Sequence, residues 1–250
     1  MATHQSIQDL LAAGDTAIAA AAFQTGDFED ARAAFRQAQD LAGDVGDAVG
    51  LARARNGLGM VAHHENLTRL ISGSAPDGQA VEAEEQLFRS ALTGARETDA
   101  ADVTAQSLFG LGLVFQVLRQ DWMTAMPFYW QALGLVTAPG AEAGLYLRSE
   151  VHRHVGFYFA YEDVQPAQAI RHLQISLDLR EDLGDPRYLP SALVALGEVE
   201  TAAGNTARAT ELLARAVEVA RAEQLLAHRV EDAERALREA ETARDGTAGG

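Results

Sequence analysis

Residues 111–132 read LGLVFQVLRQDWMTAMPFYWQA. An apolar run carries a small residue, Gly112, and about a dozen positions later Ala125, Tyr129 and Ala132 open a second helix in a small-bulky-small row. The same cadence occurs five times. Ala19 precedes Ala31, Phe35 and Ala38; Gly59 precedes Phe88 and Ala91; Gly156 precedes Ala169 and Leu173; Gly197 precedes Ala209, Leu213 and Ala216. Small residues at fixed places in paired helices let two backbones approach closely, and the bulky residue fills the space left between them. Self-similarity at a period of this size marks a repeat array in which each helical hairpin stacks on its neighbours.

The helices follow from apolar spacing and from the residues that stop them. Pairs are expected over 6–24 and 27–42, 47–71 and 79–97, 101–119 and 122–136, 145–162 and 166–182, and 187–203 and 206–222. Between them lie Gly43-Asp44-Val45-Gly46-Asp47, Ala138-Pro139-Gly140 and Gly184-Asp185-Pro186, where Gly ends one helix and Asp or Pro begins the next. Leu226, Val230, Ala233, Leu237 and Ala240 then form an apolar stripe, which predicts a last helix covering the end of the array. A dimerising seam is the sharper reading of the same stripe, though it spans only about two heptads. Residues 245–250 are expected to be a disordered tail.

Thr25-Gly26-Asp27-Phe28-Glu29-Asp30-Ala31 and Ala203-Gly204-Asn205-Thr206-Ala207-Arg208-Ala209 resemble the turn and second-helix opening of the tetratricopeptide repeat superfamily. The small residues stand 40 (19 to 59), 53 (59 to 112), 44 (112 to 156) and 41 (156 to 197) apart, longer than the family's usual spacing of about 34. Longer repeats of this kind are similar to those in large bacterial ATP-dependent transcriptional regulators. The resemblance implies an all-α fold, a right-handed superhelical solenoid of about five hairpins plus a C-terminal capping helix, as a single domain over 1–244. In the second repeat the distance from Gly59 to Phe88 is 29, against 16 from Gly197 to Leu213, so an insertion falls at about 66–79. Its loop, residues 72–78, reads either as a tolerated surface insertion or as a lid or contact arm.

Composition narrows the chemistry. Cysteine is absent, which removes disulfides, thiolate catalysis and cysteine-ligated zinc. All 20 basic residues are arginine, so neither a lysine Schiff base nor a phosphate-binding Gly-x-x-x-x-Gly-Lys loop can form. Against them stand 36 acidic residues, and the net charge of −16 disfavours nucleic acid and anionic membranes as partners. The N-terminal residues lack a charged region followed by an apolar one, and no apolar run approaching a membrane span is expected, which points to the cytoplasm.

In the tetratricopeptide family the concave face, lined by the first helix of each pair, holds the ligand. Transferring that register selects Arg53, Asn56, Met60, His63 and His64 in the second repeat, and Gln106, Phe109 and Gln116 in the third. In the fourth and fifth it selects Glu150, Arg153, Phe157, Tyr161 and Glu198. Arginines, amides and aromatic rings together suit an acidic or amphipathic ligand, with Arg53 and Arg153 as anionic anchors or, alternatively, as partners of internal carboxylates such as Glu150 and Glu198. His63-His64-Glu65 and His152-Arg153-His154 are the remaining chemical signal, but adjacent histidines point about 100° apart on a helix, so no metal or other cofactor is expected. No Gly-x-Ser-x-Gly elbow or His-Glu-x-x-His motif occurs. Two functions stay open: a non-enzymatic scaffold or regulator holding a peptide or partner protein in its groove, and a small-molecule sensor or enzyme with a pocket in repeats two to four.

Overall fold

A computed structural model describes residues 2–248, and among these every regular element is helical. The helices are α1 (Ala2–Ala20), α2 (Glu29–Val45), α3 (Ala48–Ile71), α4 (Gly78–Glu97), α5 (Ala101–Leu113) and α6 (Trp122–Val136). They continue with α7 (Leu145–Tyr161), α8 (Pro166–Leu183), α9 (Leu189–Ala202), α10 (Thr206–Ala222) and α11 (Ala227–Ala248). Short π turns at Ala21–Thr25 and Val114–Leu118 prolong α1 and α5. The chain divides into two compact units, Met1–Ala143 and Gly144–Gly250, and the division follows the linker marked by Ala138-Pro139-Gly140.

Helix boundaries fall where local chemistry puts them. Gly46 and Gly184 close α2 and α8 at φ of 72° and 75°, a left-handed backbone that costs a residue with a side chain about 1 kcal/mol or more. Asp47 and Asp121 accept hydrogen bonds from Gly50 N at 2.8 Å and Thr124 N at 3.0 Å, capping α3 and α6. The inserted residues lengthen α3 to Ile71, and the loop that remains is short, ending where Asp77 caps α4. Of the tail expected over 245–250, α11 continues through Ala248, and 249–250 lie outside the described residues.

In the first unit α1 packs on α2, α3 on α4 and α5 on α6. Aromatic rings lock these pairs. A Cβ built on Gly59 would lie 2.7 Å from the Phe88 ring, and one on Gly110, from the next pair, would lie 2.3 Å from it. Phe88 is therefore gripped by glycines on both α3 and α5. Phe35 is held in the same way by Gly14 and Gly57, at 2.5 and 2.4 Å, and Tyr129 lies 2.3 Å from the position a Gly112 Cβ would take. On α1 the glycine that meets Phe35 is Gly14, where a flat ring leaves no room even for one methyl group, and Ala19, the small residue that the spacing selects, is also buried.

In the second unit α7 packs on α8, and α9 on α10, while α11 packs on both α9 and α10. Here the bulky residue is leucine: Leu173 lies 2.8 Å from the position of a Gly156 Cβ, and Leu213 lies 2.5 Å from that of Gly197. Of the expected stripe, Ala233 and Ala240 are buried and Leu237 is partly so, while Leu226 precedes α11; Ala236, outside the expected stripe, also packs with Ala240 on Ala209 and Leu213.

One expectation fails. Residues 101–118, covering α5 and its π turn, have a mean hydropathy of 1.3 and are long and apolar enough to cross a membrane, contrary to the expected absence of such a run. The physical reason is that α5 is a core helix: Val103, Ala105, Leu108, Phe109 and Leu111 are all buried within the fold.

Candidate functional site

In the first unit the first helices of successive pairs touch, α1 against α3 and α3 against α5. Arg53 spans that layer. Its Nη2 donates to Asp102 Oδ2 on α5 at 2.9 Å, and its Nη1 reaches Gln8 Oε1 on α1 at 3.4 Å. Beside it Asp15 keeps solvent contact yet is crowded enough by protein that desolvation pushes its pKa up to about 6, with the Arg53 charge opposing the shift. Met60 and Gln106 are half-buried on α3 and α5.

Other predicted site residues of this unit lie within the packing. Asn56 is fully buried, donating through Nδ2 to the Val103 carbonyl at 3.2 Å and accepting from Ser107 Oγ at 2.9 Å. It ties α3 to α5. His63 Nδ1 meets Glu84 Oε1 at 2.9 Å, and Asn66 Nδ2 donates to Glu84 Oε2 at 2.9 Å, so both oxygens of a wholly buried carboxylate are matched. His64 stacks on Phe28 with ring centroids 5.5 Å apart. Phe109 lies buried against the Tyr129 ring, whose hydroxyl donates to Gln116 Oε1 at 2.6 Å. The two histidines diverge as helix geometry requires, and among the described residues no group of three or more His, Asp or Glu could hold a metal.

In the second unit the predicted Glu150 is held by Arg180, which is 1% exposed. Arg180 donates to Glu150, to Ser149 Oγ at 3.2 Å and to the Tyr188 carbonyl at 2.6 Å, and its guanidinium lies 5.8 Å from the Tyr146 ring. Burial lowers its pKa to about 10, which leaves it charged at neutral pH. Arg153 donates to the two oxygens of the same Glu150 at 3.1 and 2.8 Å and lies 5.2 Å from the Phe157 ring. Glu150 is therefore the carboxylate that holds Arg153. Glu198 is paired instead with Arg235 of α11, at 3.7 Å, and burial raises its pKa.

Tyr161, 56% exposed, and Glu198 line a cleft of about 460 Å³ with Val164, Thr201 and Ala236. His152 is buried and faces His172 with their Nδ1 atoms 3.0 Å apart. Desolvation lowers the His152 pKa to about 4, helped by His172 and by the charges of Arg148 and Arg171.

Arg180 and Glu84 were missed as central residues, although the pattern carried a signal. Arg180 extends the inward row Ala169, Leu173 and Ser176, and Glu84 begins the row that continues through Phe88, Ala91 and Ala95. An ionisable residue on an apolar row has either a buried partner or a shifted pKa.

No protein-family model and no curated protein sequence matches this chain. Among solved structures it is similar to BtubC (BKLC) from P. vanneervenii, at 19% identity over 89% of this chain and 92% of that one, with a TM-score of 0.49.

Proposed function

We propose that the chain is a tetratricopeptide-like array of helical hairpins acting as a non-enzymatic binding module, with the surface of its first helices holding a segment of a partner protein. The observation that carries this reading is the placement of polar and aromatic side chains on those helices. Arg53, Met60 and Gln106 remain at least partly accessible in the first unit, and Phe157, Tyr161 and Glu198 in the second. Supporting it in the first unit, α1 touches α3 and α3 touches α5, whereas contacts among α2, α4 and α6 are slight. Within the first unit such packing brings first helices together and spreads second helices, as a concave inner side requires. Rigid helices that present fixed side chains lower the entropic cost of binding an extended peptide.

The test is capture of a partner by the full chain and by single variants. Gln106→Arg and Tyr161→Ala, on the inner side, should weaken capture with little change in melting temperature. Glu97→Arg and Glu211→Arg, on second helices, should leave it intact. Equal capture by all four variants would reject the assignment.

A further inference from the structure

Arg53 and Arg153, the arginines that sequence spacing offers as anion anchors, are held by Asp102 and Glu150. Other arginines gather elsewhere. In the first unit, a cleft of about 290 Å³ between α2, α3 and α4 is lined by Arg32 and Arg36, one turn apart on α2, and by Arg69 near the end of α3. Arg32 gives one guanidinium nitrogen to Glu65. Arg36 and Arg69 are exposed, and neither forms an ion pair with a described carboxylate. Glu84 on the wall already has both oxygens matched by His63 and Asn66. Three guanidinium groups thus line the cleft with two carboxylates, Glu65 and the buried Glu84, a formal positive excess in a chain of 36 acidic residues against 20 arginines.

Like charges that converge on a cleft repel one another until an anion separates them, and the forked guanidinium is suited to an oxyanion through paired charge-assisted hydrogen bonds. Donors arriving from two helices suit a tetrahedral group better than a flat carboxylate. Leu58, Ala62 and Leu87 add an apolar wall beside the cations. We propose that this cleft binds the phosphoryl group of a phosphate monoester, with the apolar wall taking up the organic part of the ester. The site is separate from the inner-side surface of the first helices.

The test is calorimetric titration of the full chain at low ionic strength with phenyl phosphate, a phosphotyrosyl peptide, inorganic phosphate and succinate. Phenyl phosphate should bind saturably, and the Arg36→Glu/Arg69→Glu double variant should lose about tenfold or more of that affinity while keeping the parent melting temperature. The charge-matched pair Arg215→Glu/Arg238→Glu, exposed on α10 and α11, should keep it. Binding of the peptide as well would identify a phosphorylated side chain as the source, and binding of phenyl phosphate alone would identify a free ester. The proposal is overturned if neither ester binds, if succinate binds as tightly, if affinity survives in the Arg36/Arg69 variant, or if both double variants lose it equally.

Discussion

Gly110→Ala adds one methyl group against a ring that cannot retreat. The new Cβ would stand 2.3 Å from Phe88 Cε1, where carbon atoms normally rest about 3.5–4.0 Å apart, and the ring's other side is already closed by Gly59. Overpacking of this kind costs about 3 kcal/mol, while replacing a helical glycine by alanine returns about 1 kcal/mol of backbone entropy. The net loss should be about 2 kcal/mol. Gly94→Ala is the control, because its Cβ would stand 3.8 Å from the Ala52 Cβ in ordinary contact, and it should stabilise by about 0.5–1 kcal/mol. A compensating change is also available. In the second unit Leu173 and Ala195 share one core cluster and stand 22 residues apart (173 to 195), the offset that relates Phe88 to Gly110 in the first (88 to 110). Phe88→Leu in the Gly110→Ala background should therefore show a favourable coupling of more than about 1 kcal/mol in a double-mutant cycle. Urea unfolding followed by circular dichroism reads the parent and all four variants. If Gly110→Ala is as stabilising as Gly94→Ala, the ring is not gripped between the two helices.

The remaining predictions concern buried polar groups. Glu150→Ala removes the shared carboxylate of Arg153 and Arg180 and should destabilise the second unit by about 3–5 kcal/mol, because it leaves the Arg180 charge buried without its anion; a loss below about 1 kcal/mol in urea unfolding would refute that role. Asn56→Ala should cost about 1–3 kcal/mol in the same assay, since Ser107 and the Val103 carbonyl lose their partner, and Asn56→Asp should not restore it because a carboxylate cannot donate to the carbonyl. His152 has its folded pKa lowered from 6.5 to about 4, so the unfolded chain takes up a proton first as pH falls. The stability it contributes is complete above about pH 6.5 and declines by about 3 kcal/mol on the way to pH 4. Melting curves of the parent and of His152→Asn between pH 7 and 4 should differ in slope, and parallel curves would remove His152 as the cause.

Most of the helical pattern was legible because its signals are local. Asp47, Asp121, Gly46 and Gly184 mark helix ends by chemistry that acts within a turn, and the structure places the ends there. The small-to-bulky cadence found one glycine for each of Phe88, Tyr129, Leu173 and Leu213. It missed the second glycine on Phe35 and Phe88, since Gly57 and Gly110 belong to the following pair and only tertiary packing relates them. The candidate site was less readable for a related reason. A first helix between neighbours is covered on several sides, so a row chosen to face a groove can turn inward: Asn56, His63 and Phe109 became packing, while Met60, Gln106 and Tyr161 kept access to solvent. Helical spacing also could not choose between Glu150 and Glu198 as the partner of Arg153, a choice made by side-chain reach and by Arg235 arriving from α11.

The binding role itself is tested most directly by site-specific photocrosslinking in the native cell. A photoreactive residue placed singly at Met60, Gln106 and Tyr161 samples the first-helix surface of both units, and one at Glu97 and Glu211 samples the second helices. Discrete adducts of one protein at the first three positions and none at the last two are the predicted result. Adducts confined to Glu97 and Glu211, or none at any position, would contradict the account.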